Sequence, residues 1–354
     1  MSEVVFFGTF VVFIVGILLL DLGVFSKQAH TVPFKEAILW TSVWVSISLA
    51  FYVFLMFNGH LIHGIETPEQ LQYLVEHHRH AIELDGATFA ENISIYNLNL
   101  ALEYITGYVI EYALSVDNVF VIILVFIAFG VEQRYYKKVL FWGILGAIVM
   151  RFLFIFLSAA LIHQFSWILY LFGILLVYTG VRMFFSKDED EKIDPENHKI
   201  VRLTSRIFKV HPRYEQGNFW VIKDGKRYIT PLFITLIVIE FTDVIFAVDS
   251  IPAIFSVTND PYIVFFSNIF AIIGLRSLFF LVMNVMNLFR FLKIGLSVLL
   301  TFIGFKLILH DILKEWGFST IHSLYVVVAI LAISILASII FPGEKEKPDV
   351  LSGS

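Results

Sequence analysis

Apolar runs of about 20 residues, separated by short polar breaks, occupy most of this chain and predict nine helices. They lie at roughly 4–26, 35–58, 100–129, 139–162, 167–186, 230–256, 262–285, 291–311 and 321–341. A backbone in hydrocarbon must satisfy its own amides, so runs of this length read as helices, and the short alternating segments of a β-barrel are missing. Two polar segments interrupt the pattern. Residues 59–99 carry His60, His63, His77, His78 and His80 among many acids, and read as a solvated loop. Residues 187–229 are charged, with a basic stretch from Arg202 to Arg213. There an Asp224-Gly225 pair between Phe219-Trp220-Val221-Ile222 and Tyr228-Ile229 predicts a small hairpin.

The breaks carry an asymmetric charge. Lys27, Lys35, Arg134, Lys137, Lys138, the 187–229 segment, Arg290, Lys293, Lys345 and Lys347 fall on one side, against little beyond Arg79 and Lys314 on the other. The expected orientation is N-terminus outside and C-terminus cytoplasmic in a bacterial inner membrane, with residues 59–99 outside. The first apolar run has no small-residue cleavage site and reads as a retained helix.

Composition narrows the chemistry. Hydrophobic residues make up 58% and charged residues 16%, below the quarter or so of a soluble domain, and the mean hydropathy is +0.82. There is no cysteine, which removes disulfides and thiolate sites and leaves oxygen and imidazole as metal ligands. The net charge of -5 is modest and points to no partner.

Three motifs recur in the same order. Glu111-Tyr-Ala-Leu-Ser-Val-Asp117-Asn118 aligns with Asp243-Val-Ile-Phe-Ala-Val-Asp249-Ser250. Gly146-Ala-Ile-Val-Met-Arg151 aligns with Ala271-Ile-Ile-Gly-Leu-Arg276, and Leu175 to Arg182 with Leu299 to Lys306. Each copy holds three runs. Because three is odd, the second copy enters the membrane from the opposite side, as in the inverted repeats of secondary transporters. The fold class expected is an all-α polytopic membrane protein with a 3+3 inverted-repeat core. Its parts are two N-terminal helices (1–58), an outer loop (59–99), a first repeat (100–186), a cytoplasmic loop (187–229), a second repeat (230–311), and a final helix with tail (312–354).

Acids inside a membrane cost about 2.5–3.5 kcal/mol each on insertion scales, yet Glu111, Asp117, Glu240, Asp243 and Asp249 all fall in two predicted spans. Arg151 and Arg276 are too few to neutralise them, so a bound cation or protonation is expected to close the gap. At about 100° per residue, Glu111, Ser115 and Asn118 share one face, as do Asp243, Ala247 and Ser250. Asp117 and Asp249 fall about 120° away on an unbroken helix. Pro252 frees the carbonyl of Val248, and a break there would turn Asp249 towards the site; Asp117 is expected to pair with Arg151. The oxygen-rich set suits hard cations such as Mn²⁺, Mg²⁺ or Ca²⁺. Arg182 and Lys306 read as snorkelling to headgroups, Asp21 as a site residue or an interfacial one, and Gly143, Gly146, Gly173, Gly180, Gly274 and Gly304 as close helix contacts.

At these residues the chain resembles the TerC/Alx family of integral membrane proteins, associated with manganese export and tellurite resistance. The likeness rests on Asp21-Leu-Gly-Val-Phe25 with Ala29-His30, Lys35-Glu-Ala37 and Trp44. It is strongest at Thr106 to Glu111, Leu114 to Asn118, Glu240 to Ala253 and Ser267 to Arg276. It extends from about 15 to 341 and departs at 59–99. The resemblance implies Mn²⁺ as a transported substrate, with no tightly bound cofactor. It also implies export driven by proton entry and a metal-site or transport role for Glu111, Asp117, Glu240, Asp243 and Asp249. Ser115, Asn118, Ser250, Arg151 and Arg276 are the expected supporting residues. A divalent metal ion and the lipid bilayer are the expected partners, nucleic acid is not, and homo-oligomer formation is left open. The alternative is a membrane scaffold or insertion and stress-resistance factor, which would not need five buried acids. No His-Glu-x-x-His motif or nucleophile–base pair suggests an enzyme.

Overall fold

The computed structural model describes residues 3–25, 33–165, 167–185, 217–223, 225–285 and 291–341, with a few isolated positions between 204 and 215. The side chain of Asp21, together with Lys27, Ala29-His30, Asp224, Arg290, Lys345, Lys347 and most of the basic stretch between Arg202 and Arg213, lies outside the described residues.

Every predicted apolar run carries a helix. These are α1 (Glu3–Phe25), α2 (Phe34–Asn58), α4 (Phe89–Ala128), α5 (Gln133–Gln164), α6 (Ile168–Phe185), α7 (Pro231–Phe255), α8 (Pro261–Ile273) with α9 (Leu275–Val285), α10 (Leu292–Ile308) and α12 (Thr320–Ile340). Two short helices, α3 (Pro68–His77) and α11 (His310–Glu315), also lie among the described residues. Among the described residues, six helices are long and apolar enough to cross a bilayer, seven when α8 and α9 count as one bent span, against the nine expected. Helix α1 enters that count only over Glu3–Leu18, the part whose side chains are described, and α10 has 17 residues.

Local signals explain the boundaries. Thr67 and Thr88 each accept from the amide of the third residue of α3 and α4, Gln70 and Glu91, whose side chains reach back to complete capping boxes. Pro68, Pro231 and Pro261 occupy first-turn positions where no amide is needed. Asp260 caps α8 through Tyr262 N at 2.9 Å. The expected hairpin forms as β1 (Trp220–Lys223) and β2 (Lys226–Ile229), antiparallel with Lys223 opposite Lys226. Gly225 closes its turn at a φ of 70°, a left-handed value that suits glycine.

One expectation is corrected here. Pro252 does not break its helix: α7 runs unbroken from Pro231 to Phe255. A proline this near a C-terminus removes one hydrogen bond while the last turn holds. The bend comes later, 46° at Gly274 between α8 and α9.

Packing places the acidic helices at the centre. More of the 40-residue α4 is buried than of any other candidate span, and it packs against α2, α7, α8, α9 and α12. Helix α5 packs on α7 and α8, and α6 packs along α10. Glycines permit that last approach: a Cβ on Gly173 would meet Gly304 O at 2.9 Å, and one on Gly180 would meet Ser297 O at 2.7 Å. An aromatic cluster seats the N-terminal helices on the core, with Phe10 of α1 and Phe51 of α2 against Phe266 of α8 at ring separations of 4.3 and 5.5 Å.

The histidine-bearing segment keeps many exposed positions, but it holds α3 and buries His80. It folds as a cap over one end of the bundle. Asn97 of α4 accepts from His60 N at 2.7 Å and donates to Phe57 O at 3.1 Å, pinning the end of α2. His80 and Glu103, both buried, meet at 2.8 Å, and Glu103 also receives Asn99 (2.7 Å) and Thr258 (2.6 Å). The cap is thereby tied to α4 and to the α7–α8 turn through partners that lie far away in sequence.

Candidate functional site

Helical spacing puts Glu111, Ser115 and Asn118 on the face of α4 that meets α7, and Asp243 and Ser250 on the answering face. All five side chains are buried. Arg151 of α5 enters between them, itself buried. It donates from Nη1 to Glu111 Oε1, to Asn268 Oδ1 at 2.6 Å and towards Ser250 Oγ at 3.4 Å. From Nη2 it reaches Asp243 Oδ1 at 3.2 Å, and from Nε it reaches Oδ2 at 3.5 Å. Asn118 Nδ2 supplies Asp243 Oδ1 with a further bond of 2.9 Å. One guanidinium therefore holds a carboxylate from each recurring motif, and its five-donor fork suits that task where a lysine would not.

The expected pairing of Arg151 with Asp117 is corrected by this arrangement: its ion pairs go to Glu111 and Asp243. Helical periodicity fixes the two faces but not which carboxylate a side chain from the neighbouring helix reaches. Asp117 and Asp249 turn instead to a cavity of about 310 Å³ beside the cluster. Thr179 of α6 donates to Asp249 Oδ1 at 3.2 Å. Arg182 and Lys293 also line this cavity, so Arg182, although exposed, borders the site rather than only the headgroup layer. Lys306, in the last turn of α10, lies within electrostatic reach of Glu103.

Glu240 and Arg276 stand apart. The Glu240 carboxylate lies against Gly146, in a separate apolar groove between α5 and α7 lined by Trp142, Val149 and Phe241. It precedes Asp243 by three residues, only about 60° around the helix, so its turn into this groove is decided by the packing of α5 on α7 and not by the helical repeat. Arg276, buried just past the bend, acts electrostatically on Lys137 together with Glu36, and does not line the cavity.

Two features point to what the cluster can bind. Glu111 Oε2 and Asn118 Oδ1 are buried and accept no hydrogen bond among the described residues. Buried acceptors without donors are uncommon because each carries an uncompensated desolvation cost. Both residues line the cavity that Asp117 and Asp249 line. Oxygen acceptors so placed fit a hard cation. Sequence reasoning missed Asn268, Thr179 and Lys293; Asn268, as a lone amide in an apolar run, was the one with a legible signal.

Known proteins similar to this chain identify its family. The profile described as the integral membrane protein TerC family matches residues 96–346, from the first third of α4 past the end of α12. The uncharacterized membrane protein STKORF319 of Myxococcus xanthus is 38% identical over 331 residues, 94% of this chain and 91% of its own. The putative membrane-bound redox modulator Alx of Photorhabdus laumondii is 38% identical over 333 residues, 94% and 93% of the two chains. Its namesake in Escherichia coli K12 is 40% identical over 305 residues, 86% and 85%. No solved structure matches. With its helical bundle, its acidic motifs and a match covering most of its length, the chain belongs to the TerC family of integral membrane proteins.

Proposed function

We propose that the protein is a carrier that exports a divalent metal cation, with Mn²⁺ as substrate, in exchange for protons. The observation that carries this reading is the pair of donorless buried oxygens, Glu111 Oε2 and Asn118 Oδ1, on a cavity that Asp117 and Asp249 also line. A carboxylate–amide–hydroxyl set with no cysteine or histidine favours hard cations. Manganese among them follows from the family resemblance.

Arg151 acts as a competing internal cation. While its guanidinium spans Glu111 and Asp243, those carboxylates are neutralised from within; an entering ion takes them over as α5 and α8 shift the arginine and its Asn268 anchor. Protonation of a carboxylate then releases the ion, because desolvation favours the neutral acid once the cation leaves. The packing of α4 on α7, α5 on α8 and α6 along α10 pairs each helix of the first motif set with its counterpart in the second. That supports rocking of two inverted three-helix repeats around a midplane site. Arg276, the counterpart of Arg151, stands outside the cluster, and such asymmetry between repeats is what an alternating carrier needs in any one state. The retained orientation is N-terminus outside. A redox role, suggested by the names of some relatives, would have to run without thiols in this chain.

The test is manganese content and efflux in a manganese-sensitive host lacking its own exporter, with wild type beside Asp243→Asn and Asp249→Asn at matched membrane levels. Wild type lowers cellular manganese and the variants do not. If wild type leaves manganese unchanged, or the variants match it, the export reading fails.

A further inference from the structure

The cap holds a second constellation of ligands, remote from the Arg151 cluster. His63 follows α2, His78 ends α3, and Asp260 sits in the α7–α8 turn. One ligand atom from each lies within 4.8 Å of the other two. His63 Nε2 and Asp260 Oδ2 are 2.8 Å apart, with both side chains essentially inaccessible to solvent. The other oxygen of Asp260 is committed to Tyr262 N, which aims Oδ2 at the histidines.

We propose that His63, His78 and Asp260 form a binding site for one late first-row transition metal ion of the Zn²⁺ type. Two imidazoles and one carboxylate are a three-ligand set that leaves a fourth position open. Tetrahedral coordination at about 2.0–2.2 Å would place ligand atoms roughly 3.4 Å apart. The His63–Asp260 pair at 2.8 Å is closer than that, and all three ligand atoms lie within 4.8 Å of one another, so small side-chain adjustments bring them to coordination distance.

Two further observations point to a ligand. His63 Nδ1 lies 3.3 Å from Glu3 Oε1, the carboxylate–histidine contact that orients metal-bound imidazoles. Asn259 Oδ1 is buried and accepts no hydrogen bond among the described residues, and with His78 it lines a cavity of about 460 Å³ beside the site. The ion replaces the imidazolium proton of His63, which leaves to solvent. It joins the cap to the turn between the two helices that carry Asp243 and Asn268. Nitrogen ligands and the Irving–Williams order favour Zn²⁺ over Mn²⁺ here, opposite to the preference of the oxygen-rich cavity. The site therefore does not depend on what the carrier moves.

The test uses the full chain in detergent, without a polyhistidine tag, stripped with EDTA and titrated with Zn²⁺ by calorimetry, with Co²⁺ absorption as a second readout. Wild type and Asp249→Asn bind one ion, and Co²⁺ gives a visible spectrum of tetrahedral type. His78→Ala, which leaves the His63–Asp260 contact in place, loses the ion and the spectrum. Glu3→Gln weakens binding about tenfold to a hundredfold. His163→Ala, beside the neighbouring His77, changes nothing. Absence of stoichiometric Zn²⁺ binding, binding indifferent to His78→Ala, or displacement by a tenfold excess of Mn²⁺ would each overturn the assignment.

Discussion

Arg151 and Asp243 stand 92 residues apart in sequence and meet through two donors, Nη2 to Oδ1 at 3.2 Å and Nε to Oδ2 at 3.5 Å, in the buried centre of the bundle. The same guanidinium pairs with Glu111, so a single positive charge compensates two carboxylates from different helices. This contact joins α4, α5 and α7, and sets the two acids of the recurring motif on either side of one cation.

Removing that cation should be far worse than removing one acid. Arg151→Met leaves Glu111 and Asp243 buried together without a positive partner, and breaking a buried pair in this way costs about 3–5 kcal/mol. Thermal unfolding in detergent should show a large loss of stability, partly restored when Glu111→Gln and Asp243→Asn are added. An Arg151→Met protein as stable as wild type would mean that the cluster does not hold the helices together.

Asp249→Asn should separate function from folding. Asp249 is only half-buried and accepts one hydrogen bond, from Thr179, which the amide oxygen can also accept. Stability should change by no more than about 1 kcal/mol, while metal efflux falls to background. Efflux near the wild-type rate would remove Asp249 from the transport path.

Gly146 makes room for the Glu240 carboxylate, and a methyl group there would collide with it. Gly146→Ala should cost no more than about 1 kcal/mol, because the collision is with the flexible end of Glu240, which swings aside. Gly146→Ala combined with Glu240→Ala should recover most of that loss, giving a coupling free energy of the same order in a double-mutant cycle. Simple additivity of the two changes would show that the side chains do not share this space.

The cap should depend on Glu103. With His80, Asn99 and Thr258 all directed at its two oxygens, Glu103→Ala leaves several buried polar groups unpartnered, at about 1–3 kcal/mol for each. Limited proteolysis should then cut within residues 59–88 much faster than in wild type. Unchanged resistance there would indicate that other contacts hold the cap.

Much of this was legible in the one-dimensional pattern. Long apolar runs must be helices wherever water is excluded, so the helix positions followed from hydropathy, and the hairpin at Trp220–Ile229 followed from its Asp-Gly turn. The periodicity of 3.6 residues placed Glu111, Ser115 and Asn118 on one face and Asp243 and Ser250 on another, and the motifs recur in the same order along the chain. Periodicity assigns a side chain to a face of its own helix but carries no information about which helix lies opposite. Only the tertiary packing decided that Arg151 reaches Glu111 and Asp243, that Glu240 turns to a different groove, and that α7 passes Pro252 unbroken. The cap is the clearest case. A polar, histidine-rich stretch looks solvated when its partners are unknown, and its partners Glu103, Thr258 and Asp260 are brought to it by the long-range folding of α4, α7 and α8.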